Sequence, residues 1–333
     1  MRLRAPIVVF AAIAVSACER APLPTAVPSG PSFAAAASPR FHSFKIPTAN
    51  SQPGHIVLGG DGNMWFTEEN AGQIGVVDAK GKMTEFPLAD RTVSPDDIVA
   101  GPDGALWFTI PNGFPDAIGR VTTAGQITTF GTCTPTDCTS IVPQGITTGP
   151  DGNLWFTEQT RSAIVKLTPA GAFTFFALPT AGANPHGITV GPDGALWFTE
   201  FGANSIGRIT TSGVVTEFHG ATSEPDRIAA GPDGNLWFTE PFAARVGRIT
   251  PTGVVTEFAL ASGSQPRDIV AGSDGNLWVT EYAAGQLAQI TTAGVVTEAQ
   301  SVKGGPAGIA RGAGSTIWVT QFDSGQIGRL TLP

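Results

Sequence analysis

His186 stands fourteen residues ahead of Glu200, and Glu200 is one of five carboxylates that end the same repeated Trp-x-Thr-Glu phrase, with Glu68, Glu158, Glu240 and Glu281. An imidazole beside a carboxylate can abstract a proton next to a carbonyl. Carboxylate oxygens can hold a divalent cation, which stabilises the enolate forming there. Each Glu has a plainer alternative, a bond to the backbone of its own or a neighbouring loop, because repeats copy structural residues freely. For His186 the alternative is a hydrogen-bonded loop histidine. A second polar set opens the phrase: His55, Asp96, Asp97, Gln144, His186, Asp226, Arg227, Arg267 and Asp268. These residues differ from unit to unit, as function grafted on a repeat would. There is no Gly-x-Ser-x-Gly elbow, phosphate loop or dinucleotide fingerprint in a β-α setting.

The residues that position this chemistry are marked by tryptophan. The seven Trp stand at 65, 107, 155, 197, 237, 278 and 318, so one unit recurs about every 40 residues. Its consensus is P-x-x-I-x-x-G-P-D-G-x-L-W-F-T-E, a loop, then I-G-R-I-T-x-x-G-x-V-T-E-F. Asp-Gly pairs mark a hairpin between the first two β-prone runs, and Thr-x-x-Gly marks the turn between the third and fourth. Four strands per unit, seven times over, make an all-β protein, a seven-bladed β-propeller. The Trp then reads as a wedge between blades, with a ligand-stacking ladder as the alternative. The last unit stops at Pro333 without a fourth strand, and Phe41–Pro47 resembles a fourth strand without its blade. The two should pair, so that an N-terminal strand completes blade seven and removes the open edge. Strand direction brings the Pro-x-x-Ile starts and the Thr-Glu ends to one mouth. There, in loops of variable length, function is expected. Repeated Arg or Lys at 120, 166, 208, 248 and 329 should pair across strands with Glu85, Glu217, Glu257 and Glu298.

Residues 1–17 read as a lipoprotein signal peptide, 18–40 as a flexible tether and 41–333 as the propeller. Arg2 and Arg4 precede an apolar stretch from Ile7 to Val15. As a helix it would span roughly 14 Å, about half a bilayer core. It ends in Val15-Ser16-Ala17-Cys18, which resembles the lipobox of bacterial lipoproteins, where the cysteine is lipidated; an ordinary cleavage site is the alternative. The protein is therefore expected outside the cytoplasm, on the periplasmic or cell-surface side, touching the membrane only through its anchor. A formal charge of −8 offers no footprint for nucleic acid. Cys133 and Cys138, with an exported address, favour a disulfide over a metal site.

The unit "GPDGNLWFTE…IGRIT…G…TEF" closely resembles the virginiamycin B lyase (streptogramin lyase) family over about residues 41–333. The resemblance implies a seven-bladed propeller that opens type B streptogramins by metal-assisted elimination at the ester. It also implies Mg²⁺-binding Glu, a catalytic His in Pro-His-x-Ile, and a second His one blade earlier. In this sequence Arg267 stands where that catalytic His is expected, Gln265 replaces the carboxylate two residues before it, and the companion His falls on Asp226. Glu281 stays at the metal-ligand position. An intact Pro-His-Gly-Ile with Thr-Glu occurs in blade four, at His186 and Glu200. Two expectations follow. One is a lyase with His186 as base and Glu200, with Glu240 or Glu281, holding Mg²⁺. The other is a surface-tethered propeller that binds a peptide, glycan or protein without turnover. In either case a small cyclic peptide or other ligand is expected at the top mouth of a monomer.

Overall fold

The computed structural model describes residues 40–112, 117–131, 141–221 and 223–332. Cys18, Cys133 and Cys138, with the expected lipidation and disulfide, lie outside the described residues. Seven four-stranded antiparallel sheets follow one another along the chain, and their innermost strands contact in a closed ring. Blade four shows the unit: Pro185–Val190, Leu196–Glu200, Ser205–Ile209 and Val215–His219. Blade seven is closed as expected. Arg40–Lys45 pairs antiparallel with Gln326–Thr331, and Phe44 stacks on Trp318 at 5.9 Å.

The repeated residues explain the packing. Trp155 of blade three is buried with Leu196 and Phe198 of blade four, so the indole is a wedge between blades. Its ring stacks on Phe176 of its own fourth strand at 5.4 Å, and its Nε1–H donates to Asp151 in the hairpin. The Gly of I-G-R-I makes room for the Phe of the same blade. A Cβ on Gly207 would lie 2.0 Å from the Phe198 ring. In blade six Val279 replaces that Phe, and the facing position carries Ala288.

A belt of threonines binds the blades together around the mouth. Thr199 Oγ1 accepts from Gly187 N–H in its own blade and donates to Asp226 O in the next. Thr157, Thr239, Thr280 and Thr320 repeat the pattern, the last reaching Gly54 O of blade one, while Thr67 bonds His55 of its own blade. This use of the Thr of Thr-Glu was not anticipated from the sequence.

The expected Arg–Glu cross-strand pairs do not form. Arg208 opposes Thr216, while Glu217 opposes Gly207, which places the two charges on opposite faces of the sheet. Arg120 and Arg208 instead bond Asp103 and Asp193 in the hairpins, each at 2.6 Å. Glu217 accepts from the N–H and hydroxyl of Thr180.

Candidate functional site

In five of the seven blades the inner strand begins with a bulge at Pro-x-x-Ile. In blade four the register shifts between Pro185 and Ile188, which turns His186 out of the ladder and into the mouth. The residue before the Pro is left-handed in five blades, at Gln52, Asn184, Glu224, Gln265 and Gly305, and four of these are not glycine. Backbone of this kind is costly for a non-glycine residue and gathers at functional sites. Across the mouth these kinks hold two adjoining polar centres.

The first centre is His186. Its Nδ1 lies 2.9 Å from Asp226 Oδ1 of blade five, and its Nε2 lies 3.3 Å from the Gln159 amide of blade three. With Nδ1–H donating to the carboxylate, Nε2 carries the lone pair and accepts from Gln159. Phe201 stacks on the imidazole at 4.3 Å. Burial opposes charge on Asp226, but the bond from His186 and the nearby Arg227 hold its carboxyl below the usual range. His186, Asp226, Phe201, Pro241, Phe242, Gln265 and Arg267 line one cavity of ≈ 330 Å³.

The second centre is an ionic cluster on the channel axis. Arg227 lies 3.3 Å from Asp97 and 3.8 Å from Asp96, and His55 Nδ1 is 3.4 Å from Asp96. Burial and Arg227 work against charge on His55. The carboxylates of Asp97 and Asp96 outweigh them and push it up to about 9. Asp97 and Asp268 are also structural, each accepting from the backbone N–H groups of two adjoining inner strands. A neighbouring cavity of ≈ 250 Å³ is lined by His55, Glu69, Asp96, Arg227, Arg267 and Asp268 among others. Burial, followed by Asp96, raises Glu69 to about 7.

The Thr-Glu carboxylates do not face this mouth. Glu68, Glu158, Glu200, Glu240 and Glu281 are fully buried within their blades. Strand alternation accounts for it: the Thr turns to the belt, so the Glu after it turns to the other face of the sheet. Glu281 accepts from Gln286 on the third strand, while Glu158 and Glu240 accept backbone N–H groups of loops. Neither oxygen of Glu200 accepts a hydrogen bond, and burial, followed by Glu217 against it, raises its carboxyl to about 8. Thus His186 is partnered by Asp226 rather than by Glu200. Among the described residues no three of His, Cys, Asp or Glu are grouped to hold a metal ion. At the family's metal position Glu281 keeps one oxygen on an amide and one buried without a partner, and Gln265 offers no carboxylate beside it. That donor set does not fit Mg²⁺.

Sequence reasoning passed over the residue that follows Thr-Glu. Gln159 and Phe201 touch His186, and Glu69 lines the axial cavity. Tyr282 and Phe322 lie under Arg267, whose Cζ is 3.9 Å and 5.8 Å from their ring centroids. The signal was available, since this is where the invariant phrase gives way to a different residue in nearly every blade.

Residues 34–140 and 139–333 match the model of the virginiamycin B lyase family. No curated protein matches the chain. A streptogramin B lyase structure is 34% identical, with a TM-score of 0.81, and the match covers 89% of this chain and 98% of that one. The virginiamycin B lyase from Staphylococcus aureus is 35% identical, with a TM-score of 0.82 over 89% of this chain and 100% of that one. A catalytically inactive variant of the Staphylococcus aureus enzyme with quinupristin matches equally well, at 35% identity, a TM-score of 0.82 and the same coverage. With the repeat, the closed seven-bladed ring and these matches in agreement, the chain belongs to the virginiamycin B lyase family.

Proposed function

We propose that the mouth cavity is the active site of a carbon–oxygen lyase that opens the ester of a small cyclic depsipeptide, with His186 as the base. The observation that carries this reading is the His186–Asp226 dyad, which opens on a partly apolar cavity. Asp226 fixes the tautomer, so Nε2 is the atom that takes the proton once substrate displaces the Gln159 amide. The proton leaves a carbon next to a carbonyl, and its electron pair becomes a carbon–carbon double bond. The bond from the adjacent carbon to the ester oxygen breaks, and that oxygen departs as a carboxylate. Arg267 lines the same cavity and supplies positive charge for the oxyanion that develops. The lyase names of the structural relatives, and the quinupristin held by one of them, support the reading.

Binding without turnover is the second reading, favoured by Arg267 and Asp226 standing where the family pattern has histidines. Incubation with a type B streptogramin, with and without Mg²⁺, separates the two by mass spectrometry. The lyase reading expects a linear, dehydrated-end product that His186→Ala abolishes. Absence of product at high enzyme concentration leaves the binding reading. The exported, lipid-anchored location expected from residues 1–18 belongs to the same proposal.

A further inference from the structure

We propose that Arg267 makes a carboxylate-anchoring subsite in the mouth cavity. Its ligands would combine an aromatic or apolar body with a free carboxylate, as the C-terminal end of a short linear peptide does. The proposal rests on the mouth cavity being the functional site, but it does not rest on turnover.

Arg267 is exposed at the cavity wall and is held from behind. Its guanidinium sits 3.9 Å from the Tyr282 ring centroid, and the Tyr282 hydroxyl donates to Asp323 at 2.8 Å, which pins the ring. A guanidinium against an aromatic face keeps its N–H donors free around its rim, in the fork geometry that matches a carboxylate. Every nearby aspartate has another use. Asp226 is bonded to His186, and both oxygens of Asp268 accept backbone N–H groups. Asp96 and Asp97 are taken by His55 and Arg227, and Asp323 by Tyr282. Glu69 feels the charge of Arg267 but forms no ion pair with it. Among the described residues no carboxylate or carbonyl accepts from the Arg267 guanidinium. The ligand therefore has to bring the anion.

The rest of the cavity sets the other half of the ligand. Phe242 is 71% exposed and meets Phe201 edge-on at 6.2 Å, while Phe201 lies flat on His186. This forms an apolar wall in the same cavity as Arg267, and it is open to an aromatic or branched side chain. A cyclic depsipeptide lacks a free carboxylate; a linear acyl amino acid has one.

The test compares N-acetyl-L-phenylalanine with its uncharged amide, N-acetyl-L-phenylalaninamide, by isothermal titration calorimetry. The acid is expected to bind the unmodified protein about tenfold or more tighter than the amide, the range of a charge-assisted hydrogen bond. Arg267→Gln should bring the acid down to the affinity of the amide, with circular dichroism and Tm unchanged, while Arg267→Lys should keep part of the preference. Equal affinities, no measurable binding of the acid, or an acid preference that survives Arg267→Gln would each overturn the proposal. If Arg267→Gln fails to fold, the Lys variant decides, because loss of bidentate contact must weaken the acid more than the amide. Streptogramin turnover without acid preference overturns this subsite and leaves the lyase. Acid preference without turnover does the reverse.

Discussion

Replacing Glu200 by Gln should make the protein more stable. Glu200 is fully buried, neither oxygen accepts a hydrogen bond, and Glu217 faces it. In blades one and six the residue five places on is Gln73 or Gln286, whose amide donates to the Thr-Glu carboxylate. In blade four that residue is Ser205, and its hydroxyl is engaged with Ala203 O and His219. Burial, followed by Glu217, holds the Glu200 carboxyl up at about 8, against an ordinary 4.5. Its contribution is fully present below pH 4.5 and is lost as pH rises through about 8, so the folded state must bind a proton that the unfolded chain gives up. At pH 7 that costs about 3 kcal/mol, from roughly 2.5 pK units at about 1.4 kcal/mol each. Gln has the same shape, no charge to suppress, and an amide that can donate to Glu217 as Gln286 does to Glu298. Urea unfolding at several pH values is the assay. The variant should gain about 2–3 kcal/mol at pH 7, and the loss of stability between pH 4.5 and 8 should flatten. A less stable variant, or an unchanged slope, would show that Glu200 is ionised and satisfied in the native protein. If Mg²⁺ then stabilised the unmodified chain but not the variant, the blade would hold a cation after all.

His55 predicts a second alkaline loss. With its folded value raised to about 9, its contribution is fully present below pH 6.5 and disappears as pH rises through 9. It amounts to about 3 kcal/mol. His55→Gln should remove that part of the pH profile in denaturant melts; a retained profile would dissociate it from the Asp96–Arg227 cluster. Deleting residues 40–45 uncovers Trp318 and leaves Gln326–Thr331 as an open edge, so Tm should fall by roughly ten degrees or more in a thermal scan. An unchanged midpoint would contradict closure by that strand. Cys18→Ser should move the protein from the membrane to the soluble fraction and remove a diacylglycerol mass from the mature N-terminus. An unmodified Cys18 in the parent would end the lipoprotein reading.

The architecture was legible because the repeated residues do the same packing job in blade after blade. Trp wedges against the next blade, Gly clears space for Phe, and Asp-Gly turns the hairpin, so spacing alone counted the blades. The site was legible only in part, for the same reason. Repetition marks what is structural, and the Thr-Glu phrase was the most conspicuous polar repeat in the chain. Its carboxylates proved to be blade-internal. Linear position put them at the mouth end, but strand parity, which the sequence leaves ambiguous where both faces are buried, sent them into the sheet. His186 was found because it breaks the repeat, and its partner Asp226 breaks it one blade later. Their adjacency depends on a ring that spacing implies without giving distances across it. Gln159, Phe201 and Tyr282 fill the position directly after the invariant phrase, where the seven copies disagree most. In a propeller, chemistry should therefore be sought where the copies diverge at one structural register. By that criterion Arg267 is a gain in its own right: a guanidinium on a pinned aromatic ring, with no carboxylate to pair with among the described residues, has been equipped to meet a ligand that a histidine at that place would not hold.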